Sequence, residues 1–248
     1  MSGFTLPSAT LLAQSILSGV FVGALYGLLG LGLSLSWGLL RVINLAHFGF
    51  AFLAAYLCYQ LATLGMDPLL TLALIVPLFF AIGAGLHALM ARFSITPFNS
   101  LLLTFGLTGI VEALIQTLWS ADFRKLESAY GERHFKVVGL FVPLPELITL
   151  LLAVGLSLAA WAVLRHTDLG KALRASAEDS AIAAAFGIHQ QRNALLLAGT
   201  CSALASVAGV LIGVSEAVTM AVTAPSWAPL VSFTLLIAIL LLRPGRAA

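Results

Sequence analysis

Apolar residues occur along this chain in long runs that are separated by short polar stretches. Seven runs are predicted to be membrane-spanning helices, at about 11–36, 46–65, 69–91, 99–119, 144–164, 193–213 and 228–242. A helix needs about 20 apolar residues to cross a bilayer, and the alternating ten-residue pattern of a membrane β-barrel is absent. The pattern therefore predicts an all-α polytopic membrane protein with about seven transmembrane helices. The first run is long for one crossing, so we expect it to tilt, kink or break near its glycines.

The distribution of Lys and Arg residues predicts the orientation of the chain in the membrane. The stretch 165–192 is basic at its edges and is therefore placed in the cytoplasm by the positive-inside rule. Parity then puts eight Lys and Arg residues inside and four outside, the four lying in the predicted extracytoplasmic loop 120–143. The N-terminus is thus expected outside and the C-terminus inside.

The stretch 165–192 also contains the capping residues that are typical of two short helices. Thr167 or Asp168 is a candidate N-cap for the first, and Ser176–Asp179 resembles a capping box that begins the second, which Gly187 can end. The apolar face of the second helix would comprise Ile182, Ala185 and Phe186. The residues leave two interpretations open: an amphipathic segment lying on the membrane, or a docking element for a cytoplasmic partner.

Small residues recur every four positions in the first and sixth spans. This spacing lines one face of a helix and lets backbones approach closely in lipid. We expect close helix packing there, and a subunit interface is an alternative use of the same surface. The residues are Gly19, Gly23 and Gly27, and Ala205, Gly209 and Gly213.

The amino-acid composition excludes several classes of protein function. The chain is 60% hydrophobic and 9% charged, with a mean hydropathy of +1.07, which no ordinary soluble domain shows. No nucleic-acid-binding patch, cofactor motif or metal-ligand pattern occurs, and the two cysteines, Cys58 and Cys201, are predicted to be packing residues. No phosphate-binding loop and no catalytic motif are visible, so an enzyme is not expected and this chain is not expected to hydrolyse ATP itself.

Few polar residues fall within the predicted spans. Glu112 has Gln116 one turn later, and a carboxylate at bilayer depth is expected to face the bundle or water. Asn44 and His47 lie where the first two spans meet, and His47 is expected to bond exposed backbone at a helix break. We name Asn44, His47 and Glu112 as candidates for a translocation path. For Glu112 two alternatives stay open: a structural hydrogen bond between helices, or a carboxylate near the outer membrane interface.

Two sequence anchors resemble a known family, the inner-membrane permeases of bacterial branched-chain amino acid ABC importers. The first anchor is the glycine-rich segment 23–38 running into Arg41-Val-Ile-Asn44-Leu-Ala-His47. The second is the pattern from Thr167 through Leu169-Gly170 and Arg174 to Glu178-Asp179, with Gly187-Ile188. The chain is similar to the shorter of the two permease types in these systems.

The resemblance implies a single transmembrane permease domain over 1–248 whose cytoplasmic loop docks on the ATP-binding subunit. It implies a second permease subunit, two ATP-binding subunits and an extracytoplasmic solute-binding protein as partners, in the bacterial inner membrane. The residues carried over as coupling candidates are Leu169, Gly170, Arg174, Glu178, Asp179 and Gly187.

The sequence departs from the family pattern in three places. The family's basic cytoplasmic turn between spans three and four is reduced here to Arg92 alone. Phe48 follows His47 where the family usually has Gly, and the chain passes from Gly213 directly to Val214-Ser-Glu216. The family has a further segment there of roughly forty residues, enough for two crossings of about 20 residues each. This apparent internal deletion keeps open the interpretation as a non-transporting permease remnant. A stand-alone secondary transporter or channel is a separate alternative, for which Glu112 is the one candidate intramembrane ionisable residue and no clear internal repeat is found.

Overall fold

The fold was analysed in a computed structural model, which describes residues 9–93, 95–120, 134–137 and 140–219. The predicted span 228–242 and the basic residues Arg243 and Arg246 lie outside these residues. The number of spans and the orientation of the chain therefore stay predictions.

The described residues are almost entirely helical. The helices, in chain order, are α1 (Ala9–Leu35), α2 (Ala46–Thr63), α3 (Leu72–Arg92), α4 (Pro97–Trp119), α5 (Leu144–His166), α6 (Asp168–Glu178), α7 (Ser180–Ala185) and α8 (Gln190–Thr219). A π-helical segment, Ser36–Leu40, continues α1 directly. The fold prediction of an all-α membrane protein is confirmed.

Five helical stretches in the described part of the chain are long and apolar enough to cross a membrane. They are Thr10–Leu40, Leu72–Arg92, Pro97–Trp119, Leu144–His166 and Gln190–Val214. The helix α2 coincides with the predicted span 46–65 but is not in this group, because polar residues such as His47 and Gln60 lower its hydropathy.

A pair of short β-strands, which was not predicted, lies between α4 and α5. Within the loop 120–143, the strands β1 (His134–Val137) and β2 (Leu140–Pro143) pair antiparallel, with His134 opposite Pro143. The side chain of Gln14 on α1 donates to the Phe141 carbonyl (2.8 Å) and accepts from the Phe141 amide (2.9 Å). These bonds hold the hairpin to the N-terminal end of α1.

The helix α8 is the interior helix of the described bundle. In its spanning window 72% of residues are buried, against 11–22% in the other four. Every residue from Cys201 to Leu211 is buried. Since a helix covered on all sides must be small or apolar all round, the run of Ala, Ser, Val and Leu in this segment explains its position.

Glycines and small residues let other helices approach α8 closely. A methyl group at Gly209 would overlap the carbonyl group of Ala51 on α2, and one at Gly199 would lie 2.8 Å from the Phe80 ring on α3. Gly83 of α3 packs in the same way against α8, where an added Cβ would lie 2.7 Å from the Ala198 carbonyl oxygen. Along the ridge predicted for this helix, Ala205 is fully buried, and a Cβ at Gly213 would have Ala55 as its nearest neighbour, at 3.6 Å.

The glycine ridge predicted on α1 does not pack in this way. Gly19, Gly23 and Gly27 are exposed, and no described residue lies within 4 Å of the position of an added Cβ. These three glycines therefore have no close neighbour in the described chain, because α1 turns its opposite face inward, where Phe21 and Leu28 are buried. The alternative use of this face as a subunit interface stays a prediction.

The break in the first span lies at its C-terminal end, in a segment that includes Gly38. The helix stays regular through Gly30 and Gly32 and widens only at Ser36–Leu40. It ends at Arg41, whose φ of 56° lies in the left-handed region. Irregular backbone then leads to α2.

The close contact between α3 and α8 predicts that replacing two glycines of α3 by alanine will have different effects on stability. Gly83→Ala should lower the stability of the protein in detergent by about 1–3 kcal/mol, because the new methyl group meets backbone that has little room to move. Gly85→Ala should leave it unchanged or raise it by up to about 1 kcal/mol, because Gly85 is exposed with no described residue within 4 Å and alanine is the better helix former. Thermal unfolding of the two purified variants would measure both, and equal unfolding temperatures would contradict the close α3–α8 contact.

Candidate functional site

The helix α6 is fixed against one end of the bundle by a single buried side chain. Leu173 is 5% exposed and belongs to the apolar cluster formed by α1, α5 and α8, which includes Leu29 and Leu197. The helix contacts the C-terminal half of α5 and the π-helical segment Ser36–Leu40. It is therefore a packed element of the bundle and does not lie free of it.

The connection from α5 to α6 is tight because of Thr167 and Gly170. The hydroxyl of Thr167 accepts from the Gly170 amide (3.2 Å), which makes Thr167 the N-cap, as one of the two predicted candidates. A Cβ at Gly170 would overlap the Leu164 carbonyl group, so only glycine allows this approach. The Arg174 guanidinium donates to the same Leu164 carbonyl oxygen.

The junction of α6 and α7 differs from the predicted capping box. The helix α6 continues through Ser176 to Glu178, so Ser176 is in its last turn and caps nothing. The N-cap of α7 is Asp179, whose carboxylate accepts from the amides of Ala181 (2.9 Å) and Ile182 (3.0 Å). The predicted start was wrong by three residues because Asp179 alone has the extended backbone that a cap requires (φ −145°, ψ 107°).

The end of α7 lies where the sequence indicates. Gly187 has a φ of 80°, its amide donates to the Ala184 carbonyl (2.9 Å), and the Ile188 amide donates to the Ala183 carbonyl (3.2 Å). This is the two-bond C-terminal motif that requires a left-handed residue, usually glycine.

The helix α7 directs most of its apolar surface away from the bundle. Ala183 is buried, whereas Ile182 and Phe186 are 57% and 83% exposed. The sequence placed both on one apolar face, but only the structure shows that this face has no described neighbour. Among the coupling candidates, Glu178 is also exposed, and Leu169 is 36% exposed.

An open groove adjoins this surface between α7 and the start of α8. Its volume is about 830 Å³, and it is lined by Ala184, Ile188, His189, Gln190, Gln191, Arg192, Leu195 and Leu196. The Gln190 side chain donates to the Ser180 carbonyl and so ties α8 to α7 across it. The groove and the exposed face of α7 form one continuous surface at this end of the chain.

A second polar region surrounds the break between α1 and α2. Hydroxyl groups satisfy the exposed backbone there: Ser36 donates to the Val42 carbonyl (3.2 Å), and Thr104 of α4 accepts from the Leu45 amide (3.1 Å) and lies 3.2 Å from the Ile43 carbonyl oxygen. Irregular backbone at membrane depth requires such partners, because lipid supplies none.

Asn44 and His47 are both buried beside this break. The Nε2 atom of His47 lies 3.0 Å from the Leu29 carbonyl oxygen, so His47 does bond backbone, but that of the regular part of α1 and not of the break. The Oδ1 atom of Asn44 and the Nδ1 atom of His47 have no hydrogen-bond partner among the described residues, and the same holds for the Ser202 hydroxyl.

A small cavity lies next to Asn44. Its volume is about 20 Å³, and it is lined by Ser36, Leu40, Val42, Asn44, Gly83, Leu86, His87, Met90, Ala198 and Cys201. It thus lies among the π-helical segment, α3 and α8. A cavity of this size with polar walls has room for one water-sized group.

Glu112 is not part of this region. Its side chain is exposed on the outer surface of α4, with Gln116 exposed one turn later, whereas Asn44 and His47 are buried. The structure therefore does not bring the three path candidates together. Glu112 does not face the described part of the bundle, because α4 buries Thr104, Val111 and Ile115 instead, and the other predicted position, facing water, stays a prediction.

The described residues contain no group of three or more His, Cys, Asp or Glu side chains placed to bind a metal ion. Cys58 and Cys201 are both buried free thiols, and they belong to different apolar clusters.

Comparison with known proteins identifies a family. A family model described as branched-chain amino acid transport system / permease component matches residues 15–241. No solved structure matches the chain.

Several characterised permeases are similar over most of this chain. The high-affinity branched-chain amino acid transport system permease protein LivH of Salmonella typhimurium is 26% identical over 218 residues, covering 81% of this chain and 70% of LivH. The corresponding protein BraD of Pseudomonas aeruginosa is 26% identical over 230 residues, covering 83% of this chain and 72% of BraD. LivH of Escherichia coli K12 is 25% identical over 218 residues, with 81% and 70% covered.

The family model spans nearly the whole chain, including the polar break between α1 and α2 and the docked pair α6–α7. In the described part of this protein, five helical stretches are long and apolar enough to span a membrane. This multi-pass membrane protein therefore belongs to the permease components of branched-chain amino acid transport systems.

Proposed function

We propose that this chain is a permease subunit of an ABC importer that carries branched-chain or related small amino acids or amides across the inner membrane. A second permease subunit, two ATP-binding subunits and an extracytoplasmic solute-binding protein complete the assembly. The observation that carries the proposal is the pair α6–α7, which is anchored in the bundle by Leu173 and presents Ile182 and Phe186 outward. The family supports the transport role and the substrate class.

In this proposal the predicted coupling residues have two different roles. Gly170, Arg174, Asp179 and Gly187 shape the loop, since each makes or permits a contact within the chain. Leu169 and Glu178, together with Ile182 and Phe186, form the surface that contacts the ATP-binding subunit. Large apolar side chains contribute most to such interfaces when a partner buries them.

The coupling route follows from the contacts of α6. This helix contacts the π-helical segment, and that segment lines the cavity beside Asn44. Nucleotide-driven movement of α7 would therefore reach the polar break through α6. We propose that Asn44 and His47 lie at the inner gate of the path, and we leave Glu112 out of it.

Phe186 tests the docking surface. Phe186→Ala should weaken co-purification of the ATP-binding subunit by about tenfold or more and reduce amino-acid uptake in step, because the ring is the most exposed large apolar group of the loop. Phe93→Ala is the matched control, since Phe93 is 67% exposed at the end of α3. If Phe186→Ala and Phe93→Ala both retain the partner fully, the docking surface is assigned wrongly.

Two substitutions of Asp179 test whether this residue caps α7 or contacts the ATP-binding subunit through its charge. Asp179→Ala should lower uptake and destabilise α7 by about 1 kcal/mol, because the cap is lost, whereas Asp179→Asn should retain both, because asparagine caps as well as aspartate. Uptake of radiolabelled leucine and protease protection of the loop would be measured for each variant. A defect in Asp179→Asn as large as that in Asp179→Ala would show that the charge itself contacts the partner.

The energy source of uptake distinguishes an ABC importer from a secondary transporter and from a non-transporting remnant. Uptake by the assembled system should stop when the ATP-binding subunit cannot hydrolyse ATP and should persist when the proton gradient alone is collapsed. The reverse result would favour a stand-alone secondary transporter. Absence of uptake with all partners present and docked would favour a non-transporting remnant.

A further inference from the structure

The cavity beside Asn44 has room for one water molecule, and polar groups without a described partner adjoin it. Its volume is about 20 Å³, and a site for one water needs about 10–15 Å³. Asn44 lines the cavity and is 9% exposed, and its Oδ1 atom has no hydrogen-bond partner among the described residues. The Ser202 hydroxyl, which also lacks a described partner, lies directly against Gly83 in the cavity wall.

The helices around this cavity are otherwise in close contact. A Cβ at Gly32 of α1 would lie 2.5 Å from the Cε1 atom of His47 and 3.2 Å from the Cys201 carbonyl oxygen on α8. A Cβ at Gly83 of α3 would lie 2.7 Å from the Ala198 carbonyl oxygen on the same helix α8. Well-packed interiors leave few voids as large as a water molecule. The cavity is therefore a specific feature of the polar break and not a result of loose packing.

The cavity wall offers the several partners that a buried water requires. Such a water makes two to four hydrogen bonds. Besides Asn44, the wall contains the Ser36 hydroxyl and the His87 ring. Ser36 donates its hydrogen to the Val42 carbonyl (3.2 Å), so its oxygen keeps lone pairs that can accept. A neutral histidine ring has one donor and one acceptor nitrogen, so it can bond a water in either direction.

We propose that this cavity is a binding site for one buried water molecule, which joins the break between α1 and α2 to α3. The water donates one hydrogen to Oδ1 of Asn44 and the other to the Ser36 oxygen, and it bonds the His87 ring of α3. A bond through an ordered water is nearly as favourable as a direct bond. The alternative, a buried acceptor without a partner, would carry the full desolvation penalty of the carboxamide oxygen.

The water makes the π-helical segment a hydrated hinge. Ser36 and Leu40, the two ends of that segment, both line the cavity, and the segment also contacts α6. Short π-helical turns interrupt the regular bonding of a helix and are frequent at functional sites. Because a water can re-form its bonds with neighbouring groups, the segment can move with α6 without leaving Asn44 unpaired.

The bound water adds to the proposed gate at Asn44, but it depends on the cavity and not on transport. It is detected in the purified chain without an ATP-binding subunit or substrate, whereas the gate is tested by uptake. Failure of one proposal is therefore distinguishable from failure of the other.

Oxidation by hydroxyl radicals detects the water, because X-ray radiolysis converts a bound water into a radical that attacks adjacent side chains. Cys201 is 1% exposed and lines the cavity. In the purified full-length chain, a short X-ray pulse should oxidise Cys201 about fivefold faster or more than Cys58, since thiols oxidise readily when a radical reaches them. Cys58 is the matched control, because it is equally buried but does not line the cavity. Mass spectrometry measures both rates, and equal rates, or no oxidation of Cys201, would overturn the site.

Substitution of Asn44 tests what holds the water. Asn44→Leu removes the acceptor at similar volume, so oxidation of Cys201 should fall to the rate of Cys58, and the unfolding temperature in detergent should fall by about 2–4 °C. If the acceptor had no partner, leucine would instead leave that temperature unchanged or raise it. Asn99→Leu is the matched control, since Asn99 is exposed at the start of α4, and it should change neither quantity.

Either of two results with Asn44→Leu would contradict the proposal: retained oxidation of Cys201, or an unfolding temperature that does not fall. If this variant does not fold, the comparison of Cys201 with Cys58 in the unsubstituted chain still decides whether a water is bound.

Discussion

The close approach of other helix backbones to α8 is the contact on which the rest of the bundle depends. Lipid gives no hydrophobic drive for one helix to join another, so association relies on packing and on hydrogen bonds between helices. Gly209 and Gly199 on α8, and Gly83 on α3, remove the side chains that would hold α2 and α3 away. The helices α4 and α5 then pack on α2 and α1, outside this interior layer.

The break in the chain between α1 and α2 lies beside the interior helix, since Ala198 and Cys201 of α8 line the cavity next to Asn44. The backbone between α1 and α2 leaves its helical pattern, and the exposed amide and carbonyl groups need partners that lipid does not provide. Ser36 and Thr104 supply hydroxyl groups to them. Asn44 remains with an acceptor atom that no described residue satisfies, and it lines a cavity that reaches α8. The gate that we propose at Asn44 and His47 thus lies where packed helices surround it.

The loop at the end of α5 joins this break to a surface outside the bundle. Leu173 fixes α6 inside, and the caps at Asp179 and Gly187 set the length and direction of α7. The short helix therefore has a rigid base and an exposed apolar face. Rigid elements of this kind pass movement between subunits because they shift as one body.

The sequence by itself determined what depends on local chemistry. Runs of apolar residues fixed the helices, and the caps at Thr167 and Gly187 are readable because each needs a particular residue type. The resemblance carried by Asn44–His47 and by 167–188 led to the family that the comparisons show. The cap at Asp179 was missed because serine, three residues earlier, has the same capping chemistry.

The tertiary structure alone decided which way each helix faces. The glycine ridges of α1 and α8 have the same spacing, yet only the one on α8 lies against a neighbour, because α1 buries Phe21 and Leu28 on its other side. The same reason puts Glu112 on the outer surface of α4, and Ile182 and Phe186 outside the bundle. A periodic pattern specifies that a face exists, but the direction of that face depends on contacts between residues far apart in the chain.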